Sequence, residues 1–356
     1  MNHAVIMAGG IGSRFWPRSR KAHPKQFLNV FGDSTLIQST VGRVRDLMPP
    51  ERIFVVTNEA YVGQVRDQLP SIPENNILGE PIGRNTAPCI EFAALRIHAE
   101  DPDATMIVLP ADHIVRNVRK FHEVLHAAID KAQEPEALVT IGITPTHPET
   151  GYGYIQFEGS IDDGHEAPRA HRVRTFAEKP DIATAERFLD SGDFLWNSGM
   201  FIWRTETILD AISQHAPQVS EAFEPVRHSD GASDSAVTQA YQATPHISID
   251  YAVMERAENV YVVPGSFGWS DVGDWRAVYE HTEKDQHGNA LQGNVIVHDS
   301  SRSLVQAADR LVVLVGIHDL VVVDTEDAVL VAHRESTQRV KNVVEYLHAH
   351  QLEEYV

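Results

Sequence analysis

The sequence predicts an α/β protein with a mainly parallel central sheet in residues 1–287 and a small β module in residues 288–356. Short β-rich runs alternate with amphipathic segments in residues 1–145, which indicates βαβ crossovers and a parallel sheet covered on both faces. Short valine-rich runs follow residue 288, with little helical pattern. A glycine-rich, cationic stretch directly after the first strand marks the expected ligand edge of the sheet.

The elements of residues 1–145 follow from their hydrophobic periodicity. In the first predicted helix, Ser34–Leu47, apolar residues recur every three or four positions and therefore share one face. The other predicted helices are Glu59–Gln68, Thr86–His98 and Val118–Gln133, and the predicted strands are His3–Met7, Ile53–Thr57, Asn76–Gly79, Thr105–Leu109 and Ala137–Ile143.

Residues 146–287 have a pattern closer to α+β, with polar residues beside the strands that suit a second substrate. The predicted strands are Tyr152–Phe157, Arg172–Ala177, Ser198–Arg204 and Val260–Val263, with helices Ile182–Leu189 and Ser248–Arg256 between them.

The last part of the chain reads as short strands spaced by roughly ten residues, which is typical of a small β-sandwich or a set of β-helix turns. These strands are Asn294–His298, Arg310–Val315, Leu320–Asp324 and Ala328–Ala332, and Val340–His348 is predicted to be a closing helix.

The strongest functional signal is the segment from Ala8 to Phe27, which has the sequence AGGIGSRFWPRSRKAHPKQF. We call it the glycine-loop segment. Glycine lets backbone N–H groups approach phosphate oxygens closely, and nearby cations supply positive charge. The spacing is neither a dinucleotide-binding fingerprint, because Phe15 stands where a third glycine is due, nor a P-loop. The segment therefore predicts a loop that wraps a polyphosphate. The simpler alternative is a surface turn with scattered basic residues.

Composition limits the partners of this chain. The 50 Asp+Glu residues exceed the 30 Lys+Arg residues and give a net charge of -20. Such a chain repels nucleic acid and anionic membranes, so we expect neither as a partner. The single Cys89 excludes an internal disulfide and a cysteine zinc site and fits a reducing compartment. No secretory signal or run of ~18 apolar residues is present, so we expect a cytoplasmic protein.

Several motifs occur together in a recognisable order. They are the glycine loop, LPADH (109–113), FAEKP (176–180), WNSGMF (196–201) and WSDVGDW (269–275), joined by GRNTAP (83–88) and SIDYAVME (248–255). The set resembles the sugar-phosphate nucleotidyltransferases, and most closely their mannose-1-phosphate guanylyltransferase branch. The resemblance covers nearly the whole chain.

This resemblance implies both a fold and a reaction. The fold is a Rossmann-like nucleotide-diphospho-sugar transferase domain in residues 1–287, with a nucleotide-binding half (1–145) and a sugar-phosphate half (146–287). A left-handed β-helix-like module follows in residues 288–356. The reaction joins GTP and mannose 1-phosphate with Mg²⁺ to give GDP-mannose and diphosphate, in GDP-mannose biosynthesis. Some relatives carry an additional isomerase domain, which we expect to be absent here, and we expect a homodimer.

The resemblance also implies roles for single residues. Arg14 and Lys25 would hold the triphosphate and the transferring phosphate, and Asp112 and Asp271 would hold the metal, which makes these four the catalytic residues. The nucleotide would contact Ala8, Gly9, Gly10, Gly12, Ser13, Arg14, Lys25, Gly83, Asn85, Thr86 and Asp112, and the sugar phosphate would contact Gly153, Glu178, Lys179, Asn197 and Asp271. Asp250 and Asp274 are weaker metal candidates.

Each assignment has a structural alternative. Arg14 and Lys25 could be surface cations, as we expect for Arg18, Arg20 and Lys21. Asp112 could cap a helix, Asp271 could form an Asx-turn, and Asn85 could belong to an ordinary helix-capping turn. Glu178 and Lys179 could be a solvated pair before a helix, and most tryptophans should be core residues.

Competing functions stay open at this point. The same transfer could use another nucleotide or another hexose 1-phosphate, because the shared motifs specify the reaction better than the substrate. A non-catalytic regulatory subunit that binds a nucleotide sugar is a second alternative, although it would be expected to lose a phosphate cation or a metal aspartate. A nicotinamide-dependent oxidoreductase is disfavoured by the glycine spacing.

Overall fold

The computed structural model describes residues 1–159, 167–227 and 234–356. These residues form two compact units. Unit 1 comprises Met1–Gly9, Thr40–Ala111 and Val115–Trp269, and unit 2 comprises Gly10–Ser39, Asp112–Ile114 and Ser270–Val356.

The strands of the described residues follow the predicted order closely. They are β1 (Asn2–Ala8), β2 (Ile53–Asn58), β3 (Ile77–Glu80), β4 (Thr105–Pro110), β5 (Ile114–Val115), β6 (Leu138–Ile143), β7 (Gly153–Phe157), β8 (His171–Glu178), β9 (Phe194–Arg204), β10 (Val260–Gly265), β11 (Trp269–Ser270), β12 (Ala290–Gln292), β13 (Val295–His298), β14 (Leu304–Gln306), β15 (Val312–Val315), β16 (Leu320–Asp324) and β17 (Val329–His333).

The helices include four that the sequence patterns above do not predict. The helices of the described residues are α1 (Leu36–Val44), α2 (Val62–Gln68), α3 (Thr86–Glu100), α4 (Val118–Ala132), α5 (Ile182–Ser191), α6 (Thr205–His215), α7 (Pro217–Arg227), α8 (Asp234–Ala243), α9 (Trp275–His281) and α10 (Val340–Ala349). The unpredicted helices are α6, α7, α8 and α9. Prolines begin and interrupt α7, at Pro217 and Pro225, which hides its helical pattern.

One predicted helix takes a different form. Where the sequence predicts a helix over Ser248–Arg256, the structure has a five-residue π-helical turn at Asp250–Met254. The backbone N–H of Glu255 bonds to the carbonyl of Asp250, five residues earlier, at 2.9 Å. Such turns are rare and frequently occur at functional sites.

Unit 1 contains a nine-stranded sheet in the order β3-β2-β1-β4-β9-β6-β10-β8-β7. Its first four strands in this order, β3, β2, β1 and β4, run parallel to one another, and β10 runs parallel to β6. β9 is antiparallel to both of its neighbours, β4 and β6, and β7 and β8 also pair antiparallel. The predicted parallel sheet is therefore found over the first four strands, and the sheet becomes mixed where strands of the second half enter it.

The first strand lies in the middle of the parallel part and is buried on both faces. Ala4, Val5 and Ile6 are fully buried, as expected for a strand covered by helices on each side. Met7 of β1 lies opposite Pro110 of β4. Parallel neighbours bring their carboxyl ends to the same edge, so the chain leaves β1, β3 and β4 at one edge of unit 1.

The C-terminal part of unit 2 is built from two parallel ladders that alternate along the chain. β12, β14 and β16 form one ladder, and β13 and β15 form the other. This alternation is the stacking of β-helix turns. Of the two folds that the sequence allowed for this part of the chain, it confirms the set of β-helix turns and not the β-sandwich. Four short strands were not predicted: β5, β11, β12 and β14. β17 closes the first ladder by pairing antiparallel with β16.

A hydrophobic core within unit 2 joins the glycine-loop segment to this β module. Phe15 and Trp16 belong to the same buried cluster as Trp275, Val321 and Leu330. The indole N–H of Trp275 donates to the carbonyl of Trp16 at 3.0 Å.

The extra cations of the glycine-loop segment have structural partners. Arg20 donates to both carboxylate oxygens of Asp327 at 2.6 Å. Arg18 donates to Gln306 at 3.0 Å and to Asn29 at 2.7 Å. These two arginines anchor the segment to other parts of unit 2, which explains why it holds more cations than a phosphate needs.

We expect Val321→Asp to lower the free energy of unfolding by about 3–5 kcal/mol, because it places an unpaired charge in the core of unit 2. Val321 is fully buried, whereas Val313 of the same module is 50% exposed. Val313→Asp is therefore the matched control and should change stability by less than about 0.5 kcal/mol. Denaturant unfolding measures both. Equal losses of stability in Val321→Asp and Val313→Asp would contradict the assignment of Val321 to the core of unit 2.

Candidate active site

Lys25 is a buried cation in unit 2. Only 5% of the residue is exposed. Its ammonium donates to a carboxylate oxygen of Asp112 at 2.8 Å and to the main-chain carbonyl of Asp271 at 2.8 Å. A buried charge requires such partners, because an unpaired ion away from water is costly. Lys25 therefore joins the glycine-loop segment to Asp112 and Asp271, the two aspartates to which the family resemblance assigns the metal.

These residues surround a cavity of about 260 Å³ in unit 2. Its lining is polar and cationic at the glycine loop and acidic at Asp112 and Asp271. The lining residues are Gly12, Ser13, Arg14, Phe15, Lys25, Asp112, His113, Asp271 and Gly273.

Gly12 and Arg14 form the loop side of the cavity. Gly12 has a φ of 75°, and a Cβ there would collide with the side chain of Lys25, so glycine is required at this position. Arg14 is exposed on the cavity wall and forms no ion pair within the described part of the chain. Its guanidinium is therefore available to an anionic ligand.

Asp112 is held in its ionised form. Burial alone would raise the pKa of Asp112, but the charges of Lys25 and His113 and the hydrogen bond from Lys25 hold that pKa below its ordinary value. About a third of the side chain, 36%, is exposed. No helix begins at Asp112, because the short strand β5 follows it, so the helix-cap alternative does not describe this residue.

A hydrogen-bond chain supports the backbone just before Asp112. The hydroxyl of Thr40 donates to the carbonyl of Ala111 at 3.1 Å, and Arg43 donates to the same hydroxyl. Burial lowers the pKa of Arg43 to about 10. Both partners come from α1, which therefore helps to fix where the chain leaves β4.

Asp271 and Asp274 have different surroundings. The Asp271 carboxylate lies beside Gly273, with Oδ2 3.2 Å from the position of a Cβ on that glycine. Asp274 caps α9 by accepting from the N–H of Ala277 at 3.1 Å, and it also accepts from the hydroxyl of Thr337 at 2.9 Å. Burial raises the pKa of Asp274. The structure thus gives Asp274 a helix-capping role.

A second polar cluster lies in unit 1, at the end of β7 and β8. Gly153 of β7 lies opposite Glu178 of β8, and a Cβ on Gly153 would collide with the Glu178 carboxylate. Oε2 of Glu178 is buried and has no hydrogen-bond partner among the described residues. A buried acceptor without a donor is costly, which favours a site that a ligand hydroxyl completes.

Lys179 and Asn197 complete this cluster. Lys179 forms an ion pair with Glu178 and has a left-handed backbone with a φ of 49°. Burial alone would lower the pKa of Lys179, but Glu178 and Asp250 raise it above its usual value. The amide of Asn197 donates to Asp250 at 2.8 Å and accepts from the hydroxyl of Thr140 at 3.1 Å.

Asp250, the first residue of the π-helical turn, has a strongly perturbed carboxyl. Burial, followed by the negative charge of Glu178, raises the pKa of Asp250 to about 6. Two carboxylates facing one lysine and one amide form a site rich in acceptors, which suits sugar hydroxyls.

The segments GRNTAP and SIDYAVME are hydrogen-bonded to each other within unit 1. The N–H of Ile249 donates to the hydroxyl of Thr86 at 2.9 Å, and backbone bonds join Ile247 to Arg84 and Ala87 at 3.2 Å. Asn85 caps α3, accepting from the N–H of Thr86 at 2.9 Å with a φ of 70°. These contacts give Asn85 and Thr86 structural roles, and their contact with the nucleotide stays a prediction.

Comparisons with known proteins agree with this arrangement. The nucleotidyl transferase family model matches residues 3–288, and a β-helix domain model of the mannose phosphate isomerase and guanylyltransferase type matches residues 293–347. Mannose-1-phosphate guanylyltransferases from Klebsiella pneumoniae and Escherichia coli are each 43% identical over 356 residues, which is 99% of this chain and 75% of each relative. The chain belongs to the mannose-1-phosphate guanylyltransferase family of nucleotidyltransferases.

A solved structure supports the fold of this family over the full chain. It is a protein from Thermus thermophilus named a mannose-1-phosphate geranyltransferase, with a TM-score of 0.88 and 34% identity. The match covers 98% of this chain and 99% of that protein.

The described residues contain neither a membrane-spanning helix nor a complete metal-binding cluster. No helix there has the length and apolar composition needed to span a bilayer. No group of at least three His, Cys, Asp or Glu side chains there is placed to hold a metal ion. A metal at Asp112 and Asp271 would thus depend on ligands from substrate and water.

We expect Asp250→Asn to stabilise this guanylyltransferase family member above pH 6 and to leave its stability unchanged near pH 4. An acid whose pKa is raised by folding destabilises the folded state when it ionises. This destabilisation grows as the pH rises from the pKa in the unfolded chain to the pKa in the folded protein. For Asp250, whose pKa is raised to about 6, this destabilisation of the folded protein is about 1–2 kcal/mol once the partial exposure of the residue is taken into account. Thermal unfolding at pH 4, 6 and 8 measures this. An equal stabilisation of Asp250→Asn at all three pH values would contradict the raised pKa of Asp250.

Proposed function

We propose that this chain transfers GMP from GTP to α-D-mannose 1-phosphate, giving GDP-mannose and diphosphate. The observation that carries the proposal is the buried Lys25, held between Asp112 and Asp271 on the wall of a cavity that also exposes Arg14. Family membership supports the same reaction.

The reaction joins two anions, so the protein must offset their repulsion. A phosphate oxygen of mannose 1-phosphate attacks the α-phosphorus of GTP in line, and diphosphate leaves with the electron pair of the broken P–O bond. We assign the α-phosphate to Lys25, whose fixed position requires little reorganisation, and the β- and γ-phosphates to the exposed fork of Arg14. The backbone N–H groups of residues 8–13 would bind the remaining phosphate oxygens.

Members of the nucleotidyltransferase family generally use a divalent metal. We propose Mg²⁺, held by Asp112 and Asp271. Both side chains line the same cavity, and the lowered pKa of Asp112 keeps it ionised. One or two carboxylates with phosphate oxygens and water are a usual Mg²⁺ ligand set. The ion would neutralise charge on the phosphates.

The unit 1 cluster is assigned to the sugar phosphate. Lys179 would bind the phosphate, and Glu178 and Asn197 would bind hydroxyls of the mannose. Gly153 leaves the room for this contact, because any larger residue would displace the Glu178 carboxylate. The nucleotide contacts of Gly83, Asn85 and Thr86 and a homodimeric state remain predictions.

We expect the purified protein with Mg²⁺ to prefer GTP over UTP, dTTP, CTP and ATP, and to show a modest preference for mannose 1-phosphate over glucose 1-phosphate. Guanine has a distinctive edge of two donors and one acceptor, and each group left unpaired costs about 1–3 kcal/mol. A diphosphate-release assay over a matrix of nucleotides and sugar 1-phosphates measures this. Better turnover with UTP or dTTP and glucose 1-phosphate would refute the substrate assignment and leave nucleotidyl transfer standing.

We expect Asp271→Asn to lower turnover by about 100-fold or more while the protein stays folded, because charge neutralisation at the phosphates is lost. Asp274→Asn is the matched control: asparagine caps a helix about as well as aspartate, so turnover and stability should both change little. Steady-state kinetics at limiting Mg²⁺ and thermal unfolding separate the two effects. Near-normal turnover in folded Asp271→Asn would rule out the metal role.

A further inference from the structure

Lys25 and Asp112 bind each other in this structure, although the proposed function gives them different partners. Nζ of Lys25 donates to Oδ2 of Asp112 at 2.8 Å and to the main-chain carbonyl of Asp271 at 2.8 Å. The proposed transfer needs the ammonium at the α-phosphate and the carboxylate at a divalent cation. A single ammonium charge cannot balance a carboxylate and a phosphate at once, so binding of the substrates sets up a competition for it.

The stem of Lys25 is held in place, which confines any change of partner to its ammonium end. The N–H of Lys25 donates to the carbonyl of Ile11 at 3.1 Å. Gly12 packs so closely on the side chain that a Cβ there would collide with Cβ of Lys25. The centroid of the Phe15 ring lies 5.2 Å from Nζ. Lys25 can therefore exchange one hydrogen-bond acceptor for another only by turning the end of its side chain.

Asp112 is reachable from the cavity, but the cation that neutralises it is not. About a third of the Asp112 side chain, 36%, is exposed, compared with 6% of the Lys25 side chain. Two basic side chains contact Asp112 within the described part of the chain, and Lys25 is the closer one. Nε2 of His113 lies 3.8 Å from Oδ1 of Asp112. A metal that enters the cavity thus meets a carboxylate that Lys25 already pairs.

The charges around the cavity are balanced before any ligand binds. Apart from His113, the titratable side chains of its lining are two cations and two carboxylates, namely Arg14, Lys25, Asp112 and Asp271. A divalent cation alone would leave an excess of positive charge, and a triphosphate alone would leave an excess of negative charge. The two ligands together leave a smaller excess, so each should favour binding of the other.

We propose that Lys25 is an internal counter-ion that competes with the divalent cation for Asp112, so that the metal binds tightly only together with the triphosphate. The inference rests on the proposed function for the identity of these two ligands. Without nucleotide, Lys25 stays bonded to Asp112 and weakens the affinity of this carboxylate for metal. When the triphosphate binds, the ammonium transfers its hydrogen bond from Asp112 to a phosphate oxygen. The carboxylate is then released to the cation.

Binding of Mn²⁺ without nucleotide tests the proposal, because it requires no turnover. Lys25→Met keeps an unbranched apolar stem and removes the charge. We expect this variant to bind Mn²⁺ about 10- to 100-fold more tightly than the unmodified protein, the usual value of a hydrogen bond to a charged group. Adding Asp112→Asn to Lys25→Met should abolish the gain. Electron paramagnetic resonance of unbound Mn²⁺ and calorimetry measure these affinities.

Arg14→Met is the matched control, since it removes a cation of the same lining that forms no ion pair with any residue the structure describes. It should change the affinity for Mn²⁺ by less than about 5-fold. Equal gains in Arg14→Met and Lys25→Met would indicate a general effect of cavity charge and overturn the competition at Asp112. No gain in a folded Lys25→Met protein would also overturn it and leave the proposed transfer intact. The predicted gain without GDP-mannose formation by the unmodified protein would refute the transfer alone.

The unmodified protein offers a second test that does not depend on the folding of a variant. The NMR signals of the Lys25 ammonium and of the Asp112 carboxylate can be followed while Mg²⁺ is added without nucleotide. We expect both signals to change over the same range of Mg²⁺ concentration, because the cation displaces the ammonium. A change at Asp112 with an unchanged Lys25 signal would show that the two cations share the carboxylate and would overturn the proposal. No change in either signal would overturn it together with the metal role of Asp112.

Discussion

The parallel pairing of β1 with β4 is the constraint on which the candidate site depends. It places Met7 opposite Pro110, so the glycine loop and Asp112 leave neighbouring strands at the same edge. Asp112 can then reach Lys25, 87 positions away in the chain. A slip of one residue in this register would turn the buried strand residues to the opposite face and move Asp112 by about 3.3 Å.

Positive and negative charges are distributed unevenly along the chain. The chain carries a net charge of -20, yet its glycine-loop segment is basic. Two of the cations in that segment bind residues within unit 2, one is buried against Asp112, and Arg14 faces the cavity. The positive charge of this segment is thus local within a protein of negative net charge.

Much of this arrangement could be predicted from the sequence, because strand periodicity and the glycine loop are local signals. The alternation in residues 1–145 predicted β1 to β4 closely. The patterns did not reveal α7, because Pro217 and Pro225 interrupt its helical signature. The buried carboxyl of Glu80 was not predicted either, since a single acid at a strand end has no spacing to mark it. Only tertiary contact with Gly9 and Tyr241 distinguishes it from a surface acid.

Residues 84–87 and 247–249 depend on each other for their hydrogen bonds. One segment begins α3, and the other leads directly into Asp250, which accepts from the amide of Asn197. A graft that replaces one segment alone would leave the hydroxyl of Thr86 or the N–H of Ile249 without its partner. Successful chimaeras within this family should therefore exchange the two segments together, so that each hydrogen-bond donor stays with its acceptor.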